Sequence, residues 1–127
     1  ARVMAVEGDP AAARDLAHNL GRAGLGNETL AATSVERSLE ERERGSGWPD
    51  AVVLDPPRTG LPRGTAPKIA ALGATRIVYL SCDPATLARD LAELGREGYA
   101  LALARGFDLF PQTPHLEALV VVERAEG

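Results

Sequence analysis

Arg76-Ile77-Val78-Tyr79-Leu80-Ser81-Cys82-Asp83-Pro84-Ala85-Thr86 decides how the chain is read. Five residues, Arg76 to Leu80, form an apolar β-like run, and a helix-like run follows from Ala85 to Arg96. Asp83 and Pro84 fit the N-cap and first position of that helix. The single cysteine, Cys82, thus falls at the carboxyl end of a strand, where open α/β sheets place their chemistry. A thiol at such a turn is activated by helix amides or a nearby cation, whereas a buried one packs as a small hydrophobe. Asp83 raises the thiol's pKa if it points inward and leaves it alone if it caps the helix.

Working outward, the same strand-then-helix alternation recurs. Val3 to Val6 is an apolar run ending at Glu7-Gly8-Asp9-Pro10, and a helix from Ala11 to Arg22 closes at Gly24-Leu25-Gly26. Glu28 to Thr33 reads as a strand, and Ser34 caps a charged helix from Val35 to Arg44 with a solvated Glu40–Arg44 face. Ala51 to Leu54 is continuous apolar sequence suited to a buried parallel strand, and Ala66 to Leu72 is a short helix. After the cysteine helix, Gly98 to Ala104 and Leu116 to Val122 are strands joined by a loop over Gly106–Pro114. The order β-α-β-α-β-α-β-α-β-β predicts an α/β fold with a mostly parallel sheet. The last two strands lack a helix between them, so they are expected to pair antiparallel.

Composition narrows the class. The 127 residues suit one domain, and 45% apolar content with only 4% aromatic implies a core of Leu, Val and Ala. The net charge of −4 excludes a general polycation, so nucleic-acid binding requires a local patch. The positive charge is nearly all arginine, Lys68 being the single lysine. One cysteine excludes an internal disulfide and a multi-cysteine metal site. With no membrane-length apolar run and no signal peptide, the expected setting is cytoplasmic.

Four strand ends carry polar or reactive groups. Glu7 suits the vicinal hydroxyls of a nucleotide-like cofactor, or simply favours the following helix N-terminus. Asp55-Pro56-Pro57-Arg58 is a stiff strand exit. It can hold a flat group against its wall while Asp55 reads a polar edge and Arg58 meets phosphate; the alternative is a rigid turn with Arg58 in a surface ion pair. On the cysteine helix, Arg89 favours a thiolate or phosphate, or pairs with Asp90 or Glu93. Glu117, in an otherwise apolar strand, is a candidate base if desolvated. His115 stands two residues before it, on the same face of a strand, but two ligands make no metal site, and none is expected. Phe107 and Phe110 either stack on a base or pack in the core. His18 lies mid-helix and is expected to be exposed.

Taken together, Asp-Pro-Pro-Arg-x-Gly at 55–60, Ser-Cys-Asp-Pro-x-Thr at 81–86 with Arg89-Asp90, and Phe-Pro-Gln-Thr-x-His-x-Glu at 110–117 resemble the RNA 5-methyluridine methyltransferases. The resemblance runs from Val3 onward. It implies a Rossmann-like class I methyltransferase fold, S-adenosylmethionine as cofactor, and methylation of carbon 5 of uridine in transfer or ribosomal RNA. It implies Cys82 as nucleophile and Glu117 as proton acceptor, with Glu7 and Asp55 at the cofactor. Asp55, Pro56, Pro57, Arg58, Phe110 and His115 are then the substrate-contacting candidates. Thiolate addition at uracil carbon 6 makes carbon 5 a nucleophile, and the target base must leave its stack to be reached. RNA cytosine-5 methyltransferases carry another cysteine in the loop matching 55–60, and amino-group methyltransferases use no cysteine nucleophile; this chain has one cysteine, at 82.

Family members also carry a Gly-rich loop after the first strand of the core. Nothing here matches it, since Gly24-x-Gly26 follows a helix. The expectation is therefore the carboxyl-terminal portion of a catalytic domain over 1–127, lacking that first strand and loop. Its sheet is then split, with an apolar edge covered by a missing amino-terminal part or a second copy. The competing expectation is a catalytically inactive Rossmann-like module that binds RNA or a protein partner.

Overall fold

The computed structural model describes residues 1–24, 26–42, 49–109, 111–112 and 116–125. The chain divides into two compact units, Ala1–Ser46 and Gly47–Gly127. Among the described residues the strands form two sheets, one of two strands and one of four.

In the first unit, β1 (Val3–Val6) and β2 (Glu28–Ala31) pair in parallel, with Val3 opposite Glu28 and Val6 opposite Ala31. The crossover is α1 (Pro10–Ala23). Both its ends are written in the sequence. The Asp9 carboxylate accepts from the Ala11 and Ala12 amides at 2.9 and 2.8 Å, ahead of Pro10 in the first turn. Gly24 closes the helix at φ 62°, its amide donating to the Leu20 carbonyl. A second helix, α2 (Val35–Arg42), begins where the Ser34 hydroxyl accepts from the Arg37 amide at 3.3 Å. Glu40 and Glu41 are exposed as expected, and Glu41 pairs with Arg37 one turn away at 3.0 Å. The expected end of this helix at Arg44 lies outside the described residues. His18 is exposed on α1.

The second unit runs β3 (Ala51–Leu54), α3 (Thr65–Ala71), β4 (Arg76–Ser81), α4 (Pro84–Arg96), β5 (Tyr99–Phe107) and β6 (Glu117–Arg124). Its sheet order is β3-β4-β6-β5. β3 and β4 are parallel, and β6 lies between β4 and β5, antiparallel to both. The antiparallel end is as expected, but the insertion of β6 between its neighbours is not in the hydrophobic pattern, which fixes faces and not neighbours. β5 continues three residues past Ala104, through Arg105, Gly106 and Phe107, because β6 supplies cross-strand partners for all three. A bulge between Leu101 and Leu103 shifts the β5 register.

The core of this unit is built on one face of the sheet. Ile77, Tyr79, Val120 and Val122 are buried there with Ile69 of α3 and Leu94 of α4. The alternation is that of a sheet with one packed face, so Val53, on the other face, is 69% exposed. The buried Tyr99 hydroxyl donates to the Ala74 carbonyl at 2.6 Å, and Arg124 lies 5.2 Å from its ring centroid. No helix among the described residues is long and apolar enough to cross a membrane.

Candidate active site

Strand register assembles the site in the second unit. The last parallel pair is Leu54 with Tyr79, and the last antiparallel pair is Ser81 with Ala118. One step beyond these pairs, Asp55 leaves β3, Cys82 leaves β4, and Glu117 begins β6. All three therefore stand at one end of the four-stranded sheet, Cys82 and Glu117 each one step past the Ser81–Ala118 pair. Phe107 of β5 is opposite Glu117 on its other side.

The turn that carries Cys82 is tightly tied. The Ser81 hydroxyl donates to the Asp83 carbonyl at 2.9 Å and accepts from the Asp83 amide at 3.1 Å, bridging over the cysteine. The Asp83 carboxylate accepts from the Ala85 and Thr86 amides at 3.0 and 2.9 Å, with Pro84 in the first turn of α4. This decides between the two sequence readings of Asp83. Its charge caps the helix. The Thr86 amide, then the Thr86 hydroxyl, the Ala85 amide and the nearby Arg58 charge hold its carboxyl below the ordinary carboxylate range, against some desolvation. Cys82 is a free, half-buried thiol.

The loop after β3 is held by its own turn and by α4. The Gly60 amide donates to the Pro57 carbonyl at 2.8 Å, and Gly60 takes φ 71°. The Thr86 hydroxyl donates to the Arg58 carbonyl at 3.0 Å. Asp55, Pro57 and Arg58 side chains are exposed, and Pro56 is half-buried. Arg89 is committed to the same loop. Its guanidinium donates to the Thr59 and Leu61 carbonyls at 3.0 Å each and forks onto Asp90 Oδ1 at 2.9 and 2.7 Å. The expected ion pair with Asp90 is the reading realised.

Two expectations are corrected. Glu117 is half-buried as the first residue of its strand, as are Ala118 and Leu119 after it, and is not fully desolvated. Its candidacy as a base rests on position beside Cys82, not on a burial cost. Phe107 is 41% exposed, so core packing is not its role. Phe110 and His115 lie outside the described residues. No cluster of three metal-ligating side chains occurs among the described residues.

Glu7 belongs to the first unit. It follows β1 directly, half-buried, and its Oε1 accepts from the Asp9 amide at 2.7 Å. It borders a cleft of about 310 Å³ whose walls include Gly8, Pro10, Ala13, Arg14 and Leu30. Glu7 places a hydrogen-bond acceptor at the lip of a cleft whose other walls are mostly apolar apart from Arg14.

The family model for tRNA (uracil-5-)-methyltransferase matches residues 28–125. The chain belongs to this family. It is 42% identical over 123 residues to a 23S rRNA (uracil(1939)-C(5))-methyltransferase of Pseudomonas aeruginosa, covering 97% of the chain and 27% of that protein. It is 40% identical to an uncharacterized RNA methyltransferase of Bifidobacterium longum over the same share of the chain, 28% of that protein. The chain thus spans about a quarter of the length of these relatives. Among solved structures, it superposes on the Pyrococcus abyssi tRNA (uracil-54, C5)-methyltransferase, solved with S-adenosyl-L-homocysteine. There the TM-score is 0.73 at 27% identity, over 95% of the chain and 28% of that structure. A Bacillus cereus O-methyltransferase, at 17% identity and TM-score 0.72 over 97% of the chain and 63% of its own, shares the fold. The fold is the Rossmann-like methyltransferase fold that the motifs implied.

Tyr79 and Gly60 had no assigned side-chain role in the sequence reading, and Asp90 only that of an ion-pair partner to Arg89. One signal was available. Leu87, Asp90 and Leu94 are spaced three and four apart, and all three are buried on α4. An acidic residue on the apolar stripe of a helix demands a partner.

Proposed function

We propose that the protein methylates carbon 5 of uridine in transfer or ribosomal RNA, with Cys82 as nucleophile and Glu117 as base. The observation that carries this is the register that brings a free thiol, a half-buried carboxylate and the Asp55–Arg58 loop to one sheet end. Uracil carbon 5 is a weak nucleophile. Addition of the Cys82 thiolate to carbon 6 moves electron density to carbon 5 and to the carbonyl oxygen at carbon 4. S-adenosylmethionine, when bound, supplies the electrophilic methyl group. Glu117 then takes the proton from carbon 5, and the electrons of that bond expel the thiolate from carbon 6. The sequence closes with a methylated base and a regenerated cysteine.

The remaining residues bind and orient. Glu7 suits the ribose hydroxyls of the cofactor, with the apolar walls beside it for the heterocycle, and Asp55 lies at the strand end nearest the chemistry. Pro56 and Pro57 give the base a rigid wall, and Arg58 is suited to an RNA phosphate. The exposed Phe107 ring adds a stacking surface next to Glu117, and Phe110 and His115 are further substrate-contacting candidates by the family motif. An RNA substrate fits the cytoplasmic setting expected from the sequence.

The test is Glu117→Gln, assayed with uridine RNA and S-adenosylmethionine. Without the base, the carbon 5 proton stays and the thiol is not expelled. Turnover is expected to fall by roughly 10²- to 10⁴-fold while a covalent protein–RNA species accumulates. Turnover within a fewfold of the unaltered protein refutes the assignment, and RNA binding without any methyl transfer by either protein favours a binding module.

A further inference from the structure

Asp90 is a charged group that the chemistry above does not touch, yet its side chain is 1% exposed. Its Oδ2 accepts from the Tyr79 hydroxyl at 2.5 Å and from the Leu61 amide at 2.7 Å. Its Oδ1 accepts both arms of Arg89, which also holds the Thr59 and Leu61 carbonyls. Burial of such a group gains little stability, since a hydrophobe of similar volume packs there at no desolvation cost. What the carboxylate does that a hydrophobe cannot is join three segments. Tyr79 is on β4, three residues before Cys82. Asp90 is on α4, eight residues after it. Leu61 follows directly on the Asp55–Gly60 loop.

We infer that Asp90 is a positioning residue. With Arg89 and Tyr79 it fixes the backbone of the Asp55–Gly60 loop to the strand and helix that flank Cys82, so that wall and nucleophile keep one separation when RNA binds. The inference rests on the uracil methylation reading and adds to it the device that sets its geometry. Gly60 supports it. A Cβ built there falls 2.5 Å from Asp90 Oδ2 and 2.6 Å from Arg89 Nη2, so the loop backbone lies directly against the ion pair.

The experiment compares the protein with Tyr79→Phe, which deletes one donor and keeps the ring, and Arg89→Lys, which keeps charge and loses the fork. Three quantities are read: hydrogen exchange of the Leu61 amide, the rate of covalent adduct formation with 5-fluorouridine RNA and S-adenosylmethionine, and alkylation of Cys82 by iodoacetamide. Expected are Leu61 exchange accelerated about 10-fold or more and a saturating adduct rate, per folded molecule, lowered roughly 10- to 100-fold, the size of loss that misplacement by about an ångström produces. The half-saturating RNA concentration and the alkylation rate stay within about threefold, because neither the thiol nor the RNA contacts are removed. Unchanged Leu61 exchange overturns the anchoring. Faster exchange with an unchanged adduct rate per folded molecule overturns the positioning role and leaves Asp90 structural. No adduct on the unaltered protein overturns the methylation reading itself, while Leu61 exchange still reports the anchor.

Discussion

Substituting Gly60 by alanine tests the packing argument at its tightest point. Two penalties act there. Gly60 has φ 71°, a left-handed conformation that costs an alanine about 1–2 kcal/mol. The added Cβ also lies 2.5 Å from Asp90 Oδ2, 2.6 Å from Arg89 Nη2 and 3.1 Å from Thr86 Cβ, closer than carbon atoms pack. The loop must move, and the bond it most directly strains is Leu61 N–H to the buried Asp90, which as a bond to a charged group contributes about 1.5–3 kcal/mol. The expected loss is about 2.5–5 kcal/mol, the sum of the backbone cost and that bond. Gly64 is the internal control. It has φ 78° but no atom within 4 Å of where a methyl group would stand, so Gly64→Ala carries only the backbone cost of about 1–2 kcal/mol. Urea unfolding followed by circular dichroism measures both. The midpoint of Gly60→Ala should fall well below that of Gly64→Ala, with equal slopes. Equal midpoints for the two variants would refute the reasoning, because the contact with the ion pair would then contribute nothing.

Other expectations follow from titration. The Asp83 carboxyl is held below its ordinary value of 3.8, so its stabilisation is present above that pH and is lost as pH falls through the lower folded value. Asp83→Asn keeps a helix cap without a titrating group, so its stability curve should lack this acid-side loss. Tyr79 shifts the other way. Burial first, then its bond to Asp90 and that residue's charge, raise its pKa well above the ordinary 10.0. The hydroxyl's contribution is therefore complete below pH 10 and is lost as pH rises toward the folded value, at up to ~1.4 kcal/mol per pH unit. Urea midpoints between pH 9 and 11, at about half-unit steps, should be separated between the protein and Tyr79→Phe at pH 9 and draw together toward pH 11; parallel curves would show that the hydroxyl is not held in its buried bond to Asp90.

Much of the fold was legible because each helix start carries its own chemistry. Asp9-Pro10 and Asp83-Pro84 each announce a cap and a first turn, and both are realised. Ala51–Leu54 matches its predicted strand residue for residue, but the burial expected of it holds on one face only, Ala51 and Val53 being exposed. Strand order was not legible. Hydrophobic alternation says which face of β6 is buried, and nothing in it says that β6 lies between β4 and β5. The site divides in the same way. Cys82, Asp55 and Glu117 are visible as reactive groups at strand ends. The anchoring by Asp90 is not, because its partners Tyr79 and Leu61 are 11 and 29 residues away and look like ordinary core. Glu117 misled for a related reason. Its apolar neighbours suggested full burial, but at the start of β6 it is only half-buried, as are Ala118 and Leu119 beside it.

The central claim is that the Cys82 sulfur bonds to carbon 6 of uracil. Fluorine at carbon 5 cannot leave as a proton, so 5-fluorouridine RNA with S-adenosylmethionine arrests the reaction after addition. Mass spectrometry of the digested complex should find the nucleotide on the peptide containing Cys82, and Cys82→Ala should form none. An adduct on another residue, or one formed equally by Cys82→Ala, would contradict the account.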